Sequence, residues 1–188
     1  MTQEQGKQVL RLPRKHSRDS GSPPDPERGG RLARMQSPRA AITASLIVII
    51  LFSVAWALLS SALGRVFPWM TLVMALLIGL AVRRAGKGMD WRFPVIAASA
   101  AVFGSLVGNI VVAASTTAAE FGTGTLTVLR AVTEYTWPVF FSEVMTGADF
   151  VYAIGAAGIA AFYANRRLTR SQYASYRMWR ETRHGESE

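Results

Sequence analysis

The chain has 188 residues, 50% of them hydrophobic, and carries 21 Lys and Arg against 12 Asp and Glu, for a formal net charge of +9. A soluble domain spreads its apolar residues at helix or strand period; here they stand in unbroken blocks, which points to an integral membrane protein. There is no cysteine, and the two histidines, His16 and His184, lie in the charged ends, so disulfides, thiolate chemistry and a histidine base or metal ligand inside the apolar blocks are excluded.

Residues 1–40 are rich in Pro, Gly and Ser and hold nine Lys and Arg. Such a segment cannot bury enough apolar surface to offset its ordering entropy and is expected to be a disordered basic arm, with at most a marginal helix near Gln8–Leu12. Its apolar block begins too late and runs too long for a secretory signal.

A helix that crosses roughly 30 Å of hydrocarbon needs about 20 apolar residues. Residues 41–63 supply them without a charge, and Gly64 follows where helices often close in a left-handed turn. Pro68 suits the first turn of a second helix, over about 67–83, whose Arg83 and Arg84 can snorkel to the headgroups. Asp90 reads as the N-cap of a third helix over about 92–115. Residues 116–146 read as an outer segment. In it Leu126, Leu129, Val132 and Tyr135 recur on one face of a surface-lying amphipathic helix that Trp137-Pro138 interrupts. Thr146 and Asp149 form a capping-box pattern that opens a fourth helix, over about 147–165. Residues 166–188 form a basic tail with Tyr173, Tyr176 and Trp179 among its arginines, expected to continue as a helix along the membrane face.

The expected fold class is therefore all-α, an integral membrane bundle of four transmembrane helices with an amphipathic outer segment. The arm, the loop joining the second and third helices, and the tail hold nine, four and six Lys and Arg, while the two remaining connections hold one each. The excess of basic residues on one side sets both termini in the cytoplasm.

Helix 3 carries Gly104 and Gly108, a Gly-x-x-x-Gly that lets backbones approach closely in lipid. Helix 1 carries Ser53, Ala57 and Ser61 at the same spacing, and helix 4 has Ala153, Ala157 and Ala161 with Gly155 and Gly158. These are expected to pack the bundle, with homo-oligomer or partner-protein contact as the alternative. Asn109 is the most polar side chain deep in helix 3, and a hydroxyl such as Ser53 or Thr71 is its expected partner. Glu143 and Asp149 invite comparison with a small cation site, but read better as a loop charge and a helix cap.

Helices 1 to 3 have no central ionisable residue, which counts against proton coupling, and no Ser-His, Asp-Asp or Glu-His pair occurs in the spans, which counts against an enzyme. No cofactor, metal or nucleic-acid partner is expected. Gly86-Lys87-Gly88 lacks the Lys-Ser/Thr of a phosphate loop and reads as a flexible basic turn. Arg83, Arg84, Lys87, Arg92, Arg166 and Arg167 would meet anionic lipid headgroups or a partner protein.

The stretch Val82-Arg-Arg-Ala-Gly-Lys-Gly-Met-Asp-Trp-Arg-Phe93, with the Gly108-Asn109 pair beyond it, resembles a group of small bacterial multi-pass proteins of uncharacterised role over residues 41–165. The resemblance implies a bacterial inner membrane location and brings no catalytic residue with it. The functional expectation is a non-enzymatic accessory or scaffold component; the alternative is a component of a small-solute transporter or channel, with Ser53 and Asn109 along its path.

Overall fold

A computed structural model describes residues 23–132 and 136–185. Among them the regular elements are α-helices, with no strand. The chain divides into two compact units, residues 32–167 and residues 1–31 with 168–188.

In the larger unit, α2 (Pro38–Leu63) starts earlier than the hydropathy suggested, because Ser37 caps it. The Ser37 hydroxyl accepts from the Ala40 N–H at 3.2 Å, and Pro38 occupies the first turn. Gly64 closes the helix in the expected left-handed conformation (φ 59°). The next helix, α3 (Met70–Gly86), begins only after a turn in which Phe67 and Pro68 carbonyls accept from Met70 and Thr71. Then come α4 (Arg92–Glu120), α5 (Thr125–Ala131), α6 (Trp137–Val144) and α7 (Gly147–Ala164). The Thr146–Asp149 capping box opens α7 as expected, with the Thr146 N–H donating to Asp149 Oδ2 at 2.9 Å. Asp90 is not the N-cap of α4: that position is Trp91, and the Asp90 carbonyl accepts from the Phe93 N–H.

Two backbone bonds define the topology. The Ser37 N–H donates to the Gly86 carbonyl at 3.0 Å, and the Arg166 N–H to the Gly88 carbonyl at 3.1 Å. The starts of α2 and α4 and the ends of α3 and α7 thus meet at one end of the bundle. α2 runs parallel to α4, α3 parallel to α7, and the two pairs run oppositely. Each helix turns one stripe inward at three- and four-residue spacing: Ala41, Ser45, Ile49, Ser53, Trp56 and Ser60 on α2, and Ala153, Ala156, Ala160 and Ala164 on α7. The core joins Ile49, Met74, Ile78, Val82, Phe93, Ala97, Ala101 and Ala156. The outward faces are apolar as well, Leu58 being 67% and Ile154 74% exposed, an arrangement that only a nonpolar surround tolerates over so large an area.

Three described helices are long and apolar enough to cross a membrane: Pro38–Leu63, Arg92–Glu120 and Gly147–Ala164. The sequence reading expected four. The helix that falls short is α3, which has 17 residues and carries Arg83 and Arg84 in its last turn. The turn at 67–69 removes the apolar residues that would have lengthened it. The outer segment also differs from expectation. α4 continues to Glu120, and α5 ends when Val132 takes an extended conformation (ψ 106°), so the described residues hold two short helices. Pro138 lies in the first turn of α6 and does not break a helix. Tyr135 and the expected Gln8–Leu12 helix lie outside the described residues.

α1 (Pro26–Arg34), which begins in the smaller unit, and α8 (Arg170–Gly185), which lies within it, form where a disordered arm and a helical tail were expected. The Asp25 N–H donates to the Ser175 hydroxyl at 3.0 Å. Gly29 lies so close to the Ser175 carbonyl that a methyl group there would overlap it, and one on Gly30 would stand 3.0 Å from the Trp179 indole nitrogen. The Arg183 guanidinium sits 5.3 Å from the centre of the Trp179 ring. On the exposed side of α8, Arg177 and Glu181 pair at 2.8 Å, and the hydrogen bond to Glu181 raises the Arg177 pKa above its ordinary value.

Candidate anion site at the Gly-Lys-Gly end

The turn after α3 is held at several points and is not the flexible loop that its glycines suggested. Phe93, 1% exposed, lies across it. A Cβ on Gly86 would stand 2.7 Å from Phe93 Cε1 and 2.9 Å from Ala41 Cβ, and one on Gly88 would overlap the Phe93 ring. The Met89 N–H donates to Gln36 Oε1 at 3.3 Å. Both glycines are therefore required by packing. Between them Lys87 is left-handed (φ 49°, ψ 29°), which costs a residue with a Cβ roughly 1–2 kcal/mol.

This turn positions one set of cations, and the bond from Arg166 to Gly88 brings in the second. Arg83, Arg84, Lys87, Arg166 and Arg167 line a cavity of about 560 Å³, together with the apolar side chains of Met35 and Leu80. Among the described residues no acidic one lines it. Among the described residues the ion pairs are Arg31–Glu27 and Arg177–Glu181, so none of these five cations is in one. Five of the six basic residues chosen from the sequence thus converge; Arg92 is exposed in the first turn of α4 and does not line the cavity. A cleft lined by one sign of charge concentrates counter-ions, and arginine forks match phosphate oxygens in pairs. The arrangement can bind anions. It offers no nucleophile paired with a base, and the described residues contain no group of three metal-ligating side chains.

The small-residue positions serve the interior. A Cβ on Gly104 would meet Ile49 Cγ1 at 3.0 Å, and one on Gly108 would meet Trp56 Cζ3 at 2.9 Å; Ala57 is buried on the same face of α2. Gly155 is exposed and at its Cβ position only touches Leu72, at 3.5 Å. The close approach of α3 and α7 is made instead by Gly79, whose Cβ would stand 2.8 Å from the Ala160 carbonyl oxygen. Ala75 and Gly79 repeat the four-residue small spacing on α3, a signal available in the sequence. On α7 the buried alanines are Ala153, Ala156, Ala160 and Ala164, with Ala157 and Ala161 only half-buried.

Asn109 does not bond to Ser53 or Thr71. Its amide donates to the Met145 sulfur at 3.9 Å. With Thr116, Thr117, Thr146 and Asp149 it lines a second cavity, of about 420 Å³, at the opposite end of the bundle. Asp149 Oδ2 is taken up there by the capping box, and the Glu143 side chain lies outside the described residues. Ser53, Ser60 and Ser105 hydroxyls and the Trp56 indole N–H are buried without a hydrogen-bond partner among the described residues. Between the two cavities lies the packed cluster that includes Met74, Ile78, Ala101 and Ala156.

The chain matches no protein-family model, no curated protein and no solved structure.

Proposed function

We propose that this protein is a four-span, non-enzymatic accessory component of a bacterial inner membrane, whose cytoplasmic end engages anionic lipid and presents that end to partner membrane proteins. The observation that carries the reading is the convergence of five cations on one cavity at the end of an apolar bundle, with no acid among the described residues that line it. A basic pocket between helices on the cytoplasmic side is a recurrent headgroup site.

In this reading α3 is the fourth span. Its 17 residues rise about 26 Å at 1.5 Å each, and snorkelling of Arg83 and Arg84 with slight local thinning covers the remainder. Two observations support an even number of crossings. The chain re-enters the same end of the bundle after α3 and after α7, through the bonds to Gly86 and Gly88. The Asp25–Ser175 hydrogen bond joins segments that precede the first span and follow the last. The excess of basic residues assigns that shared side to the cytoplasm, and the resemblance around Gly86-Lys87-Gly88 and Gly108-Asn109 supports a bacterial host. The packed cluster between the two cavities favours this reading over the conduit past Ser53 and Asn109.

Reporter fusions after Glu188 and within residues 122–124, combined with lipid analysis of protein purified in mild detergent, test the reading. The fusion after Glu188 should report from the cytoplasm and the other from outside, with anionic lipid enriched over the bulk membrane. A fusion after Glu188 that reports from outside, a fusion within residues 122–124 that reports from the cytoplasm, or retained lipid of bulk composition would refute it.

A further inference from the structure

We propose, resting on the anionic-lipid reading above, that the Gly-Lys-Gly cavity is a one-to-one site for a lipid whose headgroup carries two phosphates, as in diphosphatidylglycerol. Three observations carry it.

The cations form two adjacent arginine pairs from segments far apart in sequence, Arg83-Arg84 at the end of α3 and Arg166-Arg167 after α7, joined through the Arg166–Gly88 backbone bond at 3.1 Å. A single phosphodiester brings one negative charge and could engage one pair. Two phosphates on one headgroup supply an anion for each pair, and each guanidinium can donate to two oxygens.

The cavity wall is also partly apolar. Leu80 lies one turn before Arg84 on α3, and Met35 lines the same space. A free polyphosphate has no use for them, whereas a lipid's glycerol and upper acyl carbons lie beside its phosphates.

Lys87 holds a left-handed conformation (φ 49°) at the helix C-cap, where glycine would sit without strain. Glycine stands on both sides of it, yet this position keeps a long cation that lines the cavity. A strained residue retained at a cavity points to a role for its side chain.

Native mass spectrometry of the full-length protein in detergent, titrated separately with diphosphatidylglycerol, phosphatidylglycerol and sodium tripolyphosphate, tests the assignment. One diphosphatidylglycerol should bind per chain and saturate, at least tenfold more tightly than phosphatidylglycerol. Arg83→Gln and Arg167→Gln should each weaken it about fivefold, the factor that corresponds to one surface charge against anionic lipid, while Arg180→Gln, which does not line the cavity, leaves it unchanged. Leu80→Ala should weaken the lipid and spare tripolyphosphate. Should the arginine variants fail to fold, Lys87→Gly provides the same test with the backbone strain removed, and should also bind about fivefold more weakly.

Equal affinity for the two lipids, or continued binding without saturation, would overturn the two-phosphate site and leave a diffuse basic surface, with the anionic-lipid reading intact. Displacement of the lipid by tripolyphosphate at equal concentration would reassign the cavity to a soluble polyphosphate. Failure of both lipids to bind above a zwitterionic control would overturn the site and the broader reading together.

Discussion

Replacing Gly79 with alanine, beside the same change at Gly158, separates close helix packing from mere small-residue composition. Both glycines lie inside helices, so each gains up to about 1 kcal/mol of helix propensity on becoming alanine. That gain cancels in the comparison. At Gly158 nothing stands within 4 Å of the new methyl group. At Gly79 the methyl would lie 2.8 Å from the Ala160 carbonyl oxygen, 2.9 Å from Tyr163 Cβ and 3.2 Å from Ala160 Cα. Two of these atoms are backbone and the third is a Cβ, so no side-chain rotation relieves the contact. Restoring an ordinary separation of about 3.4 Å requires α3 and α7 to move apart by roughly half an ångström, which loosens Ile78 and Ala156 in the core beside them. Overpacking of this kind costs about 1–3 kcal/mol. At about 2–4 °C per kcal/mol for a chain of this size, the Gly79→Ala protein should melt about 2–12 °C below the Gly158→Ala protein when both are heated in the same mild detergent. Equal melting temperatures, or a lower one for Gly158→Ala, would refute the helix register on which this packing rests.

Ser37→Ala removes the side-chain cap of α2 and should lower stability by about 1 kcal/mol; Ser37→Asp, which restores an acceptor for the Ala40 N–H, should recover most of it in the same melt. Ser105→Ala removes a fully buried hydroxyl with no partner, so it should leave the melting temperature unchanged or raise it, by up to about 1 kcal/mol in stability; a clear loss would mean that the hydroxyl holds a buried water.

Much of the architecture was legible without coordinates because hydrocarbon imposes a constraint that is local along the chain. An uninterrupted apolar block must satisfy its own backbone and can do so only as a helix, which placed α2, α4 and α7. The Gly64 cap and the Thr146–Asp149 box were readable because their geometry involves residues only a few positions apart. The capping role of Ser37 before Pro38 was equally local, but the hydropathy that begins at Ala41 drew the boundary past it.

What the residue order left open depended on which surfaces meet. Gly155 and Gly79 have the same composition and a similar helical setting, yet one sits at the edge of a contact and the other fits against the Ala160 backbone. Helix rotation decides between them, and the four-residue small spacing of Ala75 and Gly79 is the one local trace of it. The partner of Asn109 likewise came from Met145, near the far end of the outer segment. Arg83, Arg84, Lys87, Arg166 and Arg167 could be listed from the sequence as basic residues near helix ends. Their gathering around one cavity needed the backbone bond between Arg166 and Gly88, a contact across the bundle that forms only once four helices have packed.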